Sequence, residues 1–266
     1  MTDPMSEAPV EVSLPPMLQK NGPFSLLDFN GAEENLRDIL PRAKIEYLAI
    51  GDAPPDFKKG LFSFSLGYQK EEIQVVLLAM KFGRVMFPPF TGEKNVEPLC
   101  RSNNGLHSTA GSVYPLDRPM TCQSCKFGEW SENTPPVCAE VYSLLLWDIE
   151  DDLPFVIGVK RTSIMPLRKL KTALKMSAKK WAYPGCAPNA CVSMLMRTKA
   201  IQNYYILEFP QRNLKGNWLW QRLPEDQAKE LTKLAMDLST PFTEIDVRQV
   251  VDVESEAEKV SGDIPF

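Results

Sequence analysis

Between two strongly apolar stretches the chain runs through residues 90–139 without any apolar rhythm, and this segment holds four of the six cysteines. A structureless connection of that length is uncommon in a compact domain unless something ties it down. Its main apolar residues are Val113, Leu116, Phe127 and Trp130, too few to make a core of their own. The cysteines offer the tie. Cys100, Cys122, Cys125 and Cys138 follow the spacing Cys-x21-Cys-x2-Cys-x12-Cys. The Cys122-Gln123-Ser124-Cys125 pair lets two sulfurs face one ion across a tight turn, and Zn²⁺ takes four such ligands tetrahedrally at ~2.3 Å. Binding would supply folding free energy on the order of 10 kcal/mol. A structural Zn²⁺ held by these four cysteines is therefore expected. His107, inside the first spacing, is the rival for one ligand position, and four free thiols are the plainer alternative. Cys186 and Cys191 have no second pair to complete a site and read as core or loop thiols.

The flanks of this segment read as strands. Ile45 to Ile50 and Phe62 to Leu66 precede Glu72 to Met80, which is expected to continue, bent at Gly83, to Phe87. After the cysteines, Val141 to Trp147 and Leu153 to Lys160 form a hairpin around the acidic turn Asp148 to Asp152. Thr162-Ser163 can cap a helix from about Ile164 to Lys180. Its apolar face would carry Ile164, Leu167, Leu170, Leu174 and Met176, and its basic face Arg168, Lys169, Lys171, Lys175 and Lys179. Val192 to Thr198 pairs with Tyr204 to Phe209, Leu219 to Leu223 is a short last strand, and Pro224 opens a helix to about Leu238. The expected class is mainly β (α+β), an OB-fold-like barrel with a zinc-binding insertion and a few helices. The proline-rich residues 1–24 read as a flexible arm, 25–238 as the domain with its insertion at 90–139, and 239–266 as a disordered acidic tail.

The net charge of −4 hides a steep segregation. Residues 155–222 carry 13 basic side chains against one acid, Glu208, while residues 223–266 carry 4 basic and 11 acidic ones. A cationic block interleaved with aromatics suits single-stranded nucleic acid, since cations track phosphates and aromatic faces stack bases at roughly 1–3 kcal/mol each. The candidate DNA contacts are Arg84, Lys160, Arg161, Arg168, Lys169, Lys171, Lys175, Trp181, Arg197, Lys199, Tyr204, Arg212, Lys215 and Trp218, with Phe87 and Phe90 as further stacking positions. The plain reading places about half of the aromatics in the core.

Two resemblances follow from particular motifs. The stretch from Arg84 to Pro89, with Leu99-Cys100-Arg101-Ser102-Asn103-Asn104-Gly105, Cys122 to Cys125, Pro135-Pro136-Val137-Cys138, Leu153-Pro154-Phe155 and Lys160 to Ser163, resembles zinc-containing OB-fold single-stranded DNA-binding proteins of phages and mobile elements. The end of the chain, Asp263-Ile264-Pro265-Phe266, is similar to the acidic tip of bacterial single-stranded DNA-binding protein, which docks into genome-maintenance enzymes. The rest of the chain does not follow that family. Phe266 can fill an apolar pocket while its α-carboxylate meets a cation, and Asp263 meets basic residues at the rim. Pro265 limits the entropy lost on docking.

Together these features imply a sequence-tolerant single-stranded DNA-binding protein in replication, recombination or repair. It would recruit a helicase, exonuclease, recombination mediator or primase through the tip. The rival is an interaction protein that mimics the tip to hijack or block host repair enzymes without binding DNA. An enzyme is not expected. A single His weakens any scheme built on a His base, and Asp148, Glu150, Asp151 and Asp152 read as exposed acids of a turn rather than a Mg²⁺ site. No stretch approaches ~18 consecutive apolar residues, so no membrane span is expected. The acidic N-terminus lacks the pattern of a secretory signal, and the expected location is the cytoplasm of a bacterial host cell.

Overall fold

Leu144 to Trp147 is an unbroken apolar run because both of its faces are covered. In the computed structural model, Leu144 and Leu146 face one core while Leu145 and Trp147 face another on the opposite side of the same sheet. A strand buried on both faces loses the polar–apolar alternation of a half-exposed one. The structure describes residues 40–45, 60–88, 97–109, 121–129, 136–201, 204–213, 215–217 and 219–245. The N-terminal arm, the strand expected beyond Ile45, Phe90, Trp218 and the tip Asp263 to Phe266 lie outside these residues.

The described residues form a curled half-barrel sheet with few helices. In chain order the strands are β1 (Arg42–Ile45), β2 (Phe62–Phe64), β3 (Gln69–Lys70), β4 (Glu72–Met86), β5 (Cys100–Ser102), β6 (Ala139–Asp148) and β7 (Leu153–Lys160). Helix α1 (Ile164–Trp181) follows, then β8 (Val192–Ile201), β9 (Tyr204–Glu208), β10 (Gln221–Arg222), α2 (Glu225–Asp237) and α3 (Ser239–Glu244). The sheet order is β10-β8-β4-β6-β7-β1-β2-β3, with β5 added to β4 and β9 to β8. Pairing is antiparallel except between β1 and β7, which run parallel.

The long β4 organises the sheet. One edge pairs with β6 from Val75 to Val85, while the other is shared by β8 at Glu72–Val75 and β5 at Arg84–Met86. The expected bend at Gly83 is not where the strand departs from regularity. Gly83 pairs in register with Val141, and the register shifts instead between Leu77 and Ala79. Asn189 accounts for that place: its side-chain amide donates to the carbonyls of Leu77 and Leu78 at 2.6 and 3.0 Å. Buried bulge carbonyls thereby find the partner they require.

One core lies between the curled sheet and α1, which buries Leu167 and Leu170 against Val75, Leu146, Ile157 and Met194. The second lies on the other face, where α2 and α3 bring Leu231, Leu234 and Phe242 onto Val76, Leu145 and Trp147. Two expectations shift here. Met176 does not join the apolar face of α1: its side chain is 80 % exposed, and Ala173 with Leu174 takes that place. Met176 sits two residues past Leu174, about 200° around a helix of 3.6 residues per turn. Residues 239–245, expected in the tail, are instead packed: α3 buries Pro241 and Phe242, and Ile245 after it is buried too. Lys81 fixes this segment by donating to the carbonyls of Thr243 and Ile245, both at 2.6 Å.

Candidate nucleic-acid interface and cysteine cluster

The cysteine-bearing segment is anchored on the far end of β4. Cys100 opens β5 opposite Met86, and Cys138 immediately precedes β6, so the two strands beside β4 carry the first and last cysteines. Between them, Cys122–Ser124 forms a tight 3-10 turn and Lys126–Gly128 a second one. The Cys125 amide donates to the Cys122 carbonyl at 3.4 Å, Gly128 to Cys125 at 2.9 Å, and Cys138 to Phe127 at 2.8 Å. The Cys122 amide is held by the Leu106 carbonyl at 2.7 Å.

Side chains of β4 lock this segment down. Gly105 has φ +69°, a left-handed conformation natural to glycine. Its α-carbon lies so close to the Phe82 ring that a β-carbon would strike it. Phe82 in turn packs across the strand pair on Tyr142, ring centroids 5.0 Å apart. Arg84 donates to the Cys122 carbonyl at 3.5 Å, pairs with Glu140 at 3.5 Å, and lays its guanidinium against Gly128. Glu140 also meets Arg168 of α1 at 2.8 Å. Helix α1, β6, β4 and the first cysteine turn are thus joined by one chain of charges.

The electrostatics of the cysteines follow from this burial. The Cys138 thiol is pushed up to about 12, first by burial; the Arg84 guanidinium works against this, and the thiols of Cys100, Cys125 and Cys122 add to it. None of the six cysteines is in a disulfide. Among the described residues, no group of three or more His, Cys, Asp or Glu side chains stands in a geometry that could hold a metal ion. His107 is exposed, its amide donates to Asn104 Oδ1 at 3.1 Å, and its backbone bridges to Thr121.

The candidate DNA contacts divide into tethered and outward-facing groups. Arg84 has only 17 % of its side chain exposed and serves the cysteine segment. Arg197 joins Glu208 at 2.6 Å and Glu72 at 3.7 Å, tying β8 to β9 and β4. Trp181 is half-buried against the first core. Lys171 lies over the Tyr142 ring at 5.4 Å. Lys160 and Arg161 sit at the end of β7, Arg161 with φ +49°. Tyr204 opens β9 opposite Ile201. Lys169, Lys175, Lys199 and Lys215 are exposed, and Arg212 is exposed while donating to the Gly216 carbonyl at 2.7 Å. The structure brings part of this set together. Met165, Arg168, Lys169, Thr172, Ala173 and Met176 of α1 line an open depression with Gln211, beside Arg212.

Three arrangements had little signal in the sequence. Arg222 stacks on Tyr183 at 3.9 Å and donates from Nε to the Trp181 carbonyl. Glu140 links two arginines. The third is at the β6–β7 turn, where Asp148 is not an exposed acid but has a fully buried side chain. It accepts from Lys70 at 2.7 Å and from the Glu150 and Asp151 amides at 2.9 and 3.3 Å. Asp151 and Glu150 reach the same ammonium at 2.8 and 3.4 Å. These carboxylates are engaged by a cation of the protein itself. Strand β3, whose two residues gave no sequence signal, is what delivers that lysine.

No protein-family model, curated protein or solved structure matches this chain. No helix among the described residues is long and apolar enough to cross a membrane.

Proposed function

We propose that this chain is a sequence-tolerant single-stranded DNA-binding protein of the OB type, with a zinc-tied insertion and a C-terminal tip that recruits genome-maintenance enzymes. The observation that carries the reading is strand connectivity. β4, β6 and β7 form a meander, α1 follows the third strand, β8 returns to the free edge of β4, and β9 pairs with β8. That order supports the reading of a five-strand Greek-key barrel whose first strand is long enough to serve two neighbours, with β1 added on the outer edge of β7. Leu207 of β9 donates its amide to Ser163 Oγ, just past the end of β7, at the point where third and fifth strands would meet.

In OB-type barrels the connections between strands one and two, and four and five, border the oligonucleotide groove. Here these are the cysteine-bearing segment and the turn between β8 and β9. Lys199 and Tyr204 flank the second, and Lys126 lies in the first. Cations at such places track phosphates, and an aromatic face there stacks a base with little preference for its identity.

The donor set favours zinc over harder ions, because four thiolates are soft ligands. Cys100, Cys122, Cys125 and Cys138 would hold it, and Zn²⁺ would supply cross-linking of the insertion with no open coordination position for catalysis. Burial holds the proton on Cys138 and Arg84 works against it, so zinc binding there would displace that proton and should weaken on acidification. The acidic residues after Ile245 and the terminal Asp263-Ile264-Pro265-Phe266 would serve recruitment, independent of the barrel.

A gel shift with single-stranded DNA, duplex and RNA of one sequence tests the reading. Retardation of the single-stranded DNA at protein concentrations that leave duplex unshifted is expected. Equal retardation of duplex, or none of any strand, refutes it. Removing the last four residues should leave the shift intact and abolish capture of a host helicase or exonuclease.

A further inference from the structure

The loop joining α1 to β8 holds two cysteines that the zinc reading leaves unused. The chain leaves the helix through Tyr183, whose carbonyl accepts the Cys186 amide at 3.1 Å, and re-enters the sheet through the short 3-10 turn Pro188–Cys191. This path returns the chain on itself, and the Cys191 Sγ lies 3.3 Å from the carbonyl of Ala187, the residue next to Cys186. The loop is held on both sides of the pair. The Ala187 amide donates to Thr232 Oγ1 at 3.1 Å, Asn189 is inserted at the β4 bulge, and the Leu223 amide donates to the Cys191 carbonyl at 3.0 Å. A thiol pair held this way needs little backbone movement to join.

The two sulfurs differ in access. Cys191 is fully buried, with its Sγ against the Ala187 carbonyl at 3.3 Å. Cys186 is half-buried and open to a small reagent. Lys229 lies within electrostatic reach of Cys186, and Arg222, fixed over Tyr183, within reach of Cys191. The thiolate is the nucleophile in exchange, and the more accessible Cys186 is the thiol a reagent reaches first.

We propose that Cys186 and Cys191 form a reversible intramolecular disulfide, a modification site that takes a low-molecular-weight disulfide such as oxidised glutathione as its oxidant. The Cys186 thiolate attacks one sulfur of the oxidant, breaks its S–S bond and releases one small thiolate. Cys191 yields its proton and attacks the Cys186 sulfur, and the second small thiolate leaves and is protonated. Two protein thiols are oxidised, and one small disulfide is reduced to two thiols. The order follows from burial, which pushes the Cys191 thiol up and makes it the resolving partner.

The test uses the full chain loaded with zinc, exposed to a glutathione redox buffer, quenched by alkylation and mapped by peptide mass. The expected product is a single linkage between Cys186 and Cys191 with the loss of two hydrogen masses. It should form at least about tenfold faster than any linkage among the other four cysteines. The Cys191→Ala variant, shown to be folded by circular dichroism, should accumulate glutathione on Cys186 and stop there. Stable glutathione on Cys186 of the unsubstituted chain with Cys191 free would overturn the proposal. So would both thiols remaining reduced while a urea-unfolded sample cross-links, or faster linkage within the other four.

Discussion

If Cys100, Cys122, Cys125 and Cys138 hold zinc as proposed, replacing Gly105 with Ala should weaken its binding by about a hundredfold. The residue holds φ +69°, and a left-handed conformation costs a residue with a β-carbon roughly 1–2 kcal/mol. The new methyl would also strike the Phe82 ring, which is confined by Tyr142 across the strand pair. Overpacking of this kind costs about 1–3 kcal/mol. The two add to about 3 kcal/mol against the docked form of the loop, and about 1.4 kcal/mol corresponds to a factor of ten in binding. The cost reaches the cysteines because the next residue, Leu106, holds the Cys122 amide. Competition with a chromophoric chelator measures the affinity. Gly67→Ala is the control: Gly67 has φ +89° and open space around it, in the turn between β2 and β3. It should pay the backbone cost without moving zinc. An unchanged affinity in Gly105→Ala, or an equal loss in Gly67→Ala, refutes the reasoning.

Three further outcomes follow from the geometry. Asp148→Asn removes the buried partner of Lys70 and should cost about 2–4 kcal/mol in urea unfolding, the upper end being avoided because Asp151 still reaches the ammonium. Asp152→Asn should stabilise the protein at neutral pH. Burial and the charge of Glu230 raise the Asp152 carboxyl, so its ionisation costs stability above its folded pKa, and that cost fades as pH falls through it. The gain seen in thermal melts should therefore shrink on acidification, and Asn tolerates the +56° φ found there. Lys169→Glu with Lys175→Glu should lower the salt slope of single-strand binding by about 1.4 if both lysines meet phosphates. An unchanged slope would place the strand elsewhere on the surface.

The strands flanking the insertion were legible because apolar runs such as Leu144-Leu145-Leu146-Trp147 have few other uses. The helix at Ile164 was legible through its period, although Met176 fell outside the buried face by two residues. What escaped was tertiary in origin. The parallel pairing of β1 with β7 joins residues more than a hundred positions apart. The β4 bulge is set by Asn189, which lies far along the chain from Leu77 and Leu78. Composition marked Arg84, Arg197 and Asp148 as surface charges, and pairing across strands made them structural. The cysteine spacing set only the zinc expectation, while the Gly105 and Phe82 contact that seats the segment had no local signature.

The most direct measurement is a salt titration of binding to a fluorescent oligo-dT, with the matching duplex alongside. The proposed function predicts tight single-strand binding at low salt, a straight fall of log affinity against log salt with a slope of about −0.7 per phosphate contacted, and much weaker duplex binding. Negligible low-salt affinity, a flat salt dependence, or equal affinity for duplex would contradict it.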